Sequence, residues 1–152
     1  MLDELGYFYF VLKENQLGKL SAESAARLIF LCTFLNYNNE LMLSQRQRMK
    51  RSDLKSVLKL SIGSVFNFWH EVNPLYIVKD RDGLKLTNTD IIRGKVIDKQ
   101  NSFQRLYIEN IRKLYRTSKT SQHRYLRRVF QTLPFINTEY NIICWNPYET
   151  IL

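Results

Sequence analysis

The sequence predicts an α+β fold, mostly α, in which a winged helix-turn-helix is followed by a C-terminal helical extension. Three observations support this prediction. Two short amphipathic helices meet at residues 60–61, a β-favouring hairpin follows them at 75–87, and two further amphipathic patterns occupy the last third of the chain. We therefore place a winged-helix domain at residues 1–97 and a helical extension, for bracing or dimerisation, at residues 98–152.

The N-terminal third is predicted to contain a strand and a buried helix. Residues 6–12 are aromatic and β-branched, which favours a strand that joins the small sheet of the hairpin, although the same run is compatible with a helix start. Ser21 is a typical N-cap for a helix that is apolar on nearly every side as far as Leu35. Residues 36–39 include three asparagines, which favour a turn that ends this helix, and residues 41–43 are expected to form a short strand.

The helix-turn-helix is predicted at residues 53–72. Ser52 is a suitable N-cap for its first helix, in which Leu54, Val57 and Leu58 have the spacing of one buried face. Ser61 caps the second helix, which runs to residue 72 and ends before Asn73-Pro74. The apolar stripe expected to face the core of this second helix consists of Ile62, Val65, Phe66 and Trp69.

Beyond the helix-turn-helix, two strands are predicted at 75–78 and 84–87 around a turn at 80–83. A long amphipathic helix is expected at 98–116, with these basic residues on its surface: Arg105, Arg112, Lys113 and Arg116. Ser121 caps a last helix through about residue 133. Its inward residues are expected to be Tyr125, Leu126, Val129, Phe130 and Leu133, and its outward residues Arg124, Arg127 and Arg128.

The positive charge of the chain is concentrated in its second and third parts. The 152 residues include 23 Lys or Arg and 14 Asp or Glu, for a net charge of +9. Residues 1–45 carry three basic and five acidic side chains, residues 46–97 eleven and five, and residues 98–152 nine and four. This distribution indicates a polyanionic partner for both later parts, whereas a basic surface that only aids solubility is the alternative.

The second helix of the pair is the candidate recognition helix, which would enter a DNA major groove. The base-reading candidates lie off its predicted apolar stripe: Ser61, Gly63, Ser64, Asn67 and His70. Since this helix has no Arg or Lys, we expect Asn67 to read adenine in an A·T-rich site. The phosphate-contact candidates are Arg46, Arg48, Lys50, Arg51, Lys55 and Lys59, with Lys79, Arg81 and Lys85 in the hairpin.

Catalysis is not expected, and neither are cofactors or metals. The sequence has no Gly-rich phosphate loop, no His-Glu-x-x-His motif and no paired carboxylates at metal-binding spacing. Cys32 and Cys144 are interpreted as buried small hydrophobic residues, and His123 as the solvated start of a helix. No apolar window is long enough to span a membrane and the N-terminus is acidic, so a cytoplasmic protein is expected.

Four segments of the sequence, at residues 7–10, 35–39, 53–66 and 86–94, resemble winged-helix proteins of plasmids and phages of Gram-positive bacteria, including replication initiators of the RepL type. The last segment has Thr89 where those initiators have Pro. The resemblance covers roughly residues 5–96, and residues 133–147 are similar to phage winged-helix proteins. It implies DNA binding and leaves open whether replication, transcription or both is the outcome. The leading hypothesis is a homodimer that binds double-stranded DNA in transcription regulation or replication initiation, in the cytoplasm of a bacterial host cell. The alternative is a phage protein that binds a host polymerase or replication protein through its winged helix and C-terminal helices.

Overall fold

The computed structural model describes residues 6–11, 16–87, 91–93, 103–132, 136–137 and 142–143, and its fold is α+β and mostly helical. In these residues the helices are α1 (Ala22–Cys32), α2 (Leu54–Leu58), α3 (Ile62–Val72), α4 (Ile108–Thr117) and α5 (His123–Thr132). The strands are β1 (Tyr7–Val11), β2 (Ile77–Lys79), β3 (Leu84–Leu86), β4 (Ile91–Ile92), β5 (Phe103–Tyr107), β6 (Ile136–Asn137) and β7 (Ile142–Ile143). Helix α3 has the predicted bounds, and the predicted hairpin forms as β2 and β3.

The described strands form three separate antiparallel sheets. Strand β1 is the middle strand of the first sheet, where Tyr9 lies opposite Ile92 of β4 and Arg105 of β5. Strands β2 and β3 form the second sheet, and β6 and β7 form the third. The prediction that the N-terminal strand joins the hairpin is therefore wrong. Its β-favouring residues indicate a strand, but they do not show which distant strand will pair with it.

The predicted helix at 98–116 is wrong in its first part. Residues 98–102 lie outside the described residues, residues 103–107 form β5, and α4 begins only at Ile108. The spacing of Phe103, Leu106 and Tyr107 is compatible with a helix turn. In the fold these residues pair along the whole length of β1, which provides hydrogen-bond partners that a local pattern cannot reveal.

Helix α1 lies at the centre of the hydrophobic core, as its all-round apolar sequence predicts. The Ser21 side chain caps it by accepting a hydrogen bond from the Ser24 N–H, and every residue from position 24 to 32 is buried. Phe30 stacks on Tyr115 of α4 with 3.9 Å between ring centroids, while Leu126 and Phe130 of α5 belong to the same core. The domain boundary at 97/98 stays a prediction, and the helices on its two sides share this core.

Helix α3 buries a different stripe from the predicted one. Phe68 and Val72 are buried, and Val65 and Trp69 pack partly against the core. Ile62 and Phe66, which were predicted to face the core, are 72% and 53% exposed. The two stripes have the same helical spacing and share Val65 and Trp69, so periodicity does not distinguish them.

The rotation of α3 is set by its contact with α1. One Glu71 carboxylate oxygen accepts from the Ser21 hydroxyl at 2.9 Å and from the Ser24 hydroxyl at 2.8 Å, and the other accepts from the Ser21 N–H at 2.8 Å. Although burial acts in the opposite direction, these hydrogen bonds lower the pKa of Glu71. With Glu71 held at the N-terminus of α1, the side of α3 that bears Phe68 and Val72 faces the core.

Two polar residues that were predicted at the surface are buried between helices. Arg112 donates from Nε to Thr33 Oγ1 and from Nη2 to the Thr33 carbonyl, each at 3.0 Å, and its guanidinium lies 4.3 Å from the ring centroid of Phe34. His123 is 3% exposed and accepts at Nδ1 from Arg27 Nε at 3.3 Å. Both positions lie on faces of α4 and α5 that pack against α1, which residue type alone does not indicate.

Helix α5 also presents two predicted core residues to solvent. Tyr125 is 52% exposed and Val129 is 40% exposed, whereas Leu126 and Phe130 are buried as predicted. The buried face is therefore narrower than the predicted one, because α1 covers only one side of this helix. Leu133 lies outside the described residues.

Candidate nucleic-acid interface

The hairpin is attached to the rest of the fold by the segment between α1 and α2. The Leu41 N–H donates to the Leu84 carbonyl at 3.0 Å, and the Leu86 N–H donates to the Asn39 carbonyl at 2.8 Å. Isolated antiparallel bridges join Leu35 to Leu41, Met42 to Arg48 and Glu40 to Lys85. The run predicted as a strand at 41–43 thus forms bridges at positions 41 and 42, and residues 39–41 attach the hairpin to the segment between α1 and α2.

Arg48 holds the turn of this hairpin. Its Nη1 and Nη2 donate to the two carboxylate oxygens of Asp80 at 2.9 and 2.8 Å, and Nη2 also donates to the Leu84 carbonyl at 3.1 Å. The hydrogen bond from Arg48, with those from the Asp82 and Gly83 backbone, lowers the pKa of Asp80 to about 2. Arg48 was predicted to contact phosphate, but both of its terminal nitrogens are already engaged.

Gly83 completes the turn because no larger residue fits there. A Cβ at this position would lie 2.7 Å from the Met49 carbonyl oxygen and 2.9 Å from Arg48 Cβ. The Leu84 N–H donates to the same Met49 carbonyl at 2.9 Å, so the backbone cannot move away without losing a hydrogen bond. The tip of the hairpin is therefore held at a set distance from the start of α2.

The remaining cationic candidates are exposed. They form no ion pair with any acidic side chain in the part of the chain that the structure describes: Arg46, Lys50, Arg51, Lys55, Lys59, Lys79, Arg81 and Lys85. Lys50 and Arg51 at the start of α2 and Lys79 and Arg81 in the hairpin line one groove of about 310 Å³. The structure thus brings together residues that the sequence places in two separate segments.

The base-reading candidates occupy the solvent side of α3. Ser61, Gly63, Asn67 and His70 are exposed, and Ser64 is half-buried. The Ser64 N–H donates to Ser61 Oγ at 3.2 Å, and the two hydroxyls are 3.1 Å apart, so both serines take part in the helix cap. Gly63, Asn67 and His70 are therefore the candidates that take no part in the helix cap and are exposed to a partner.

Sequence reasoning missed the apolar part of the same face. Ile62 and Phe66 lie four residues apart on it, and the Phe66 ring contacts the His70 ring edge-on, with 4.3 Å between centroids. The Arg51 guanidinium lies 5.1 Å from the centroid of the Trp69 ring, which joins the segment before α2 to α3. The exposed face of α3 is therefore mixed, with apolar and polar side chains next to one another.

A second basic surface lies on α5. Arg124 and Arg128 are exposed as predicted, Arg127 is half-buried, and together with Ala22 and Tyr125 they line a groove of about 280 Å³. Arg124 Nη2 donates to the Tyr125 hydroxyl at 2.8 Å. This surface belongs to the part of the chain for which the sequence predicts bracing or dimerisation.

Among the described residues, no three His, Cys, Asp or Glu side chains are placed to hold a metal ion together. Cys32 is buried, and burial raises the pKa of its thiol, which keeps it protonated. Cys144 lies outside the described residues. No helix in the described part of the chain has both the length and the apolar composition to cross a bilayer.

Comparison with known proteins gave no match: no family model, no curated protein and no solved structure is significantly similar to this chain. The function is therefore argued from the geometry of the interface.

Proposed function

We propose that helices α1 to α3 and the β2–β3 hairpin form a winged helix-turn-helix that binds double-stranded DNA, with α3 as the recognition helix. The order of elements supports this proposal, because a helix, a short bridged segment, two helices and a hairpin follow one another along the chain. Fold alone does not establish a function, so the proposal depends on the chemistry of the exposed surface.

The observation that supports DNA binding most directly is the set of exposed cations, without an ion-pair partner among the described residues, in the groove between residues 50–52 and the hairpin turn. Lys50, Arg51, Lys79 and Arg81 line one groove and form no ion pair among the described residues. Asp80 and Asp82 also line this groove, and Asp80 is paired with Arg48. Exposed cations that are not paired within the protein attract a polyanion over distances of about 10 Å at moderate salt. We assign these four residues to phosphate contacts.

Asn67 is the expected reader of base edges. Its side chain is exposed on α3, and an amide matches the adjacent donor and acceptor of adenine in the major groove. The absence of Arg and Lys from the sequence of α3 makes bidentate contact with guanine impossible. We therefore expect an A·T-rich site.

A role in transcription regulation or replication initiation is proposed on the sequence resemblance alone, because the comparisons with known proteins supply no relative. A homodimer would place two copies of α3 in successive major grooves about 34 Å apart, which requires a palindromic site. The groove on α5 and the exposed Tyr125 are on the segment proposed for dimerisation.

The test is selection of bound sequences from a pool of random duplex DNA, followed by affinity measurements on the enriched sequence. We expect an A·T-rich palindrome, and Asn67→Ala should weaken its binding by about 1–3 kcal/mol while binding to random duplex stays nearly unchanged. Asn110→Ala, a change of an exposed asparagine on α4, is the matched control. Equal binding of all duplexes by the parent protein would contradict sequence-specific recognition.

A second candidate function is binding of a host polymerase or replication protein through the same region. The observation that favours it is the exposure of Ile62 and Phe66, which are neighbours on one face of α3, since exposed apolar patches mark protein interfaces. This candidate predicts no duplex binding even at low salt, together with a purified one-to-one complex that Phe66→Ala disrupts.

A further inference from the structure

Ile62 and Phe66 form an exposed apolar pair on the face of α3 that the proposed function turns toward DNA. Their exposed fractions are 72% and 53%, and they lie four residues apart, so their side chains are neighbours on one face. Two large apolar side chains that contact water on a helix give up the stabilisation that burial would provide. A bound partner that covers them would restore it.

The Phe66 ring contacts the His70 ring on the exposed face of α3. Its edge-on contact with His70 places the ring centroids 4.3 Å apart at an interplanar angle of 67°. Beside it, a Cβ built at Gly63 would meet no atom within 4 Å, so the helix backbone is accessible at this point. A partner can therefore approach α3 closely and meet the apolar pair in a defined position.

The charge around this pair indicates which partner fits it. Arg51, whose guanidinium lies over the Trp69 ring of α3, lines a groove together with Lys50, Lys79 and Arg81. Asp80 and Asp82 also line this groove, and the excess of basic side chains favours an anionic surface over an apolar protein face. On the edges of base pairs in the major groove, the apolar group open to contact is the C5-methyl of thymine. We propose that Ile62 and Phe66 contact thymine methyl groups and so select T at defined positions, an inference that rests on the proposed DNA-binding function.

The experiment replaces thymine by deoxyuridine, one position at a time, in the duplex selected from the random pool. This change removes only the C5-methyl and leaves the pairing edge intact. At the positions that α3 contacts, we expect the dissociation constant to rise about fourfold for each methyl removed, as for one buried methyl-sized group. Thymines elsewhere in the same duplex serve as internal controls.

A variant of the protein tests whether Phe66 contacts the thymine methyl. Phe66→Ala should bind the thymine and deoxyuridine duplexes with equal affinity at the position that Phe66 contacts. Val129→Ala, which truncates an exposed apolar residue on α5, should keep the parent's discrimination. A circular dichroism spectrum and melting curve of each variant show whether it is folded.

Three negative results have different meanings. If the protein prefers one duplex but binds every deoxyuridine form as tightly as the parent duplex, methyl recognition is wrong and the proposed DNA-binding function stands. If no duplex is preferred, the proposed function fails and this inference fails with it. If Phe66→Ala keeps full discrimination at every position, Phe66 does not read thymine.

Discussion

Two regions of this protein use the same cationic residue types in opposite ways. In the region of α2, α3 and the hairpin, the Lys and Arg side chains that the sequence predicts to contact phosphate are exposed, except for Arg48, which is half-buried and paired with Asp80. Between α1, α4 and α5, Arg27 and Arg112 are buried and donate hydrogen bonds to neighbouring segments of the fold. Net charge therefore overstates the positive surface of the second region, and only unpaired, exposed cations are evidence of a polyanion site.

The two regions differ in the groups that surround a cationic side chain. Arg112 meets the hydroxyl and carbonyl of Thr33 and the ring of Phe34, which replace the water that burial removes. Lys50 and Arg51 at the start of α2 are exposed, so water solvates their charge. The first arrangement stabilises helix packing, whereas the second leaves charge for a partner.

The largest difference in stability is expected between variants of two phenylalanines on α3, of which Phe68 is buried and Phe66 is exposed. Phe68→Ala should lower the free energy of unfolding by about 3–5 kcal/mol, because it leaves a cavity in the core. Phe66→Ala should change it by less than about 0.5 kcal/mol, since Phe66 is exposed. Urea unfolding followed by circular dichroism measures both values. Similar losses for the two variants would mean that α3 is rotated differently from the structure.

The next effect concerns the buried arginine of α4. Arg112→Ala should destabilise the protein by about 3 kcal/mol, because it removes two hydrogen bonds from a charged donor and leaves the Thr33 acceptors without this donor. Arg116→Ala, at an exposed position on the same helix, is the control and should cost less than about 0.5 kcal/mol. Equal stability of both variants would place Arg112 at the surface.

A smaller effect is expected on the pH dependence of stability. Burial, with the neighbouring Arg27 guanidinium, lowers the pKa of His123 to about 4 from the ordinary value of 6.5. Between these values the unfolded chain binds the proton more readily, so the free energy of unfolding should fall as the pH is lowered from 6.5 toward 4. Unfolding curves at several pH values measure this slope.

The two histidines provide the control for that slope. His123→Gln should remove the His123 contribution in this window, whereas His70→Gln, a change at an exposed position, should leave it in place. An unchanged slope in His123→Gln would show that other groups cause the pH dependence.

The smallest effect is expected in the salt dependence of DNA binding. Replacing both Lys50 and Arg51 by Ala should reduce the slope of log affinity against log salt by about two, which is about one unit for each phosphate interaction removed. Lys113 and Arg116, both exposed on α4, allow a double change that removes the same charge and should leave the slope unchanged. If the double change of Lys50 and Arg51 left the slope of log affinity against log salt unaltered, these two residues would not contact phosphates.

Several features could be predicted because they depend on residues close together in the chain. Ser21 and Ser61 accept from backbone N–H groups three residues ahead, so the starts of α1 and α3 are local properties. Asn73-Pro74 ends α3, and the turn at 80–83 depends on the Asp80 carboxylate and on Gly83. The exposure of Lys and Arg side chains before α2 and in the hairpin could also be predicted, because long cationic side chains in short polar segments are usually exposed in any fold.

Other features depend on contacts between distant segments, and the sequence pattern left them open or indicated them wrongly. Strand β1 pairs with β4 and β5, and Arg112 and His123 are buried because α4 and α5 pack on α1. Helix α3 shows the distinction most clearly. Its spacing allows Ile62 and Phe66 or Phe68 and Val72 to face the core, and packing against α1 selects the second pair. The apolar pair left in solvent exists because a helix with two equivalent stripes can bury only one of them.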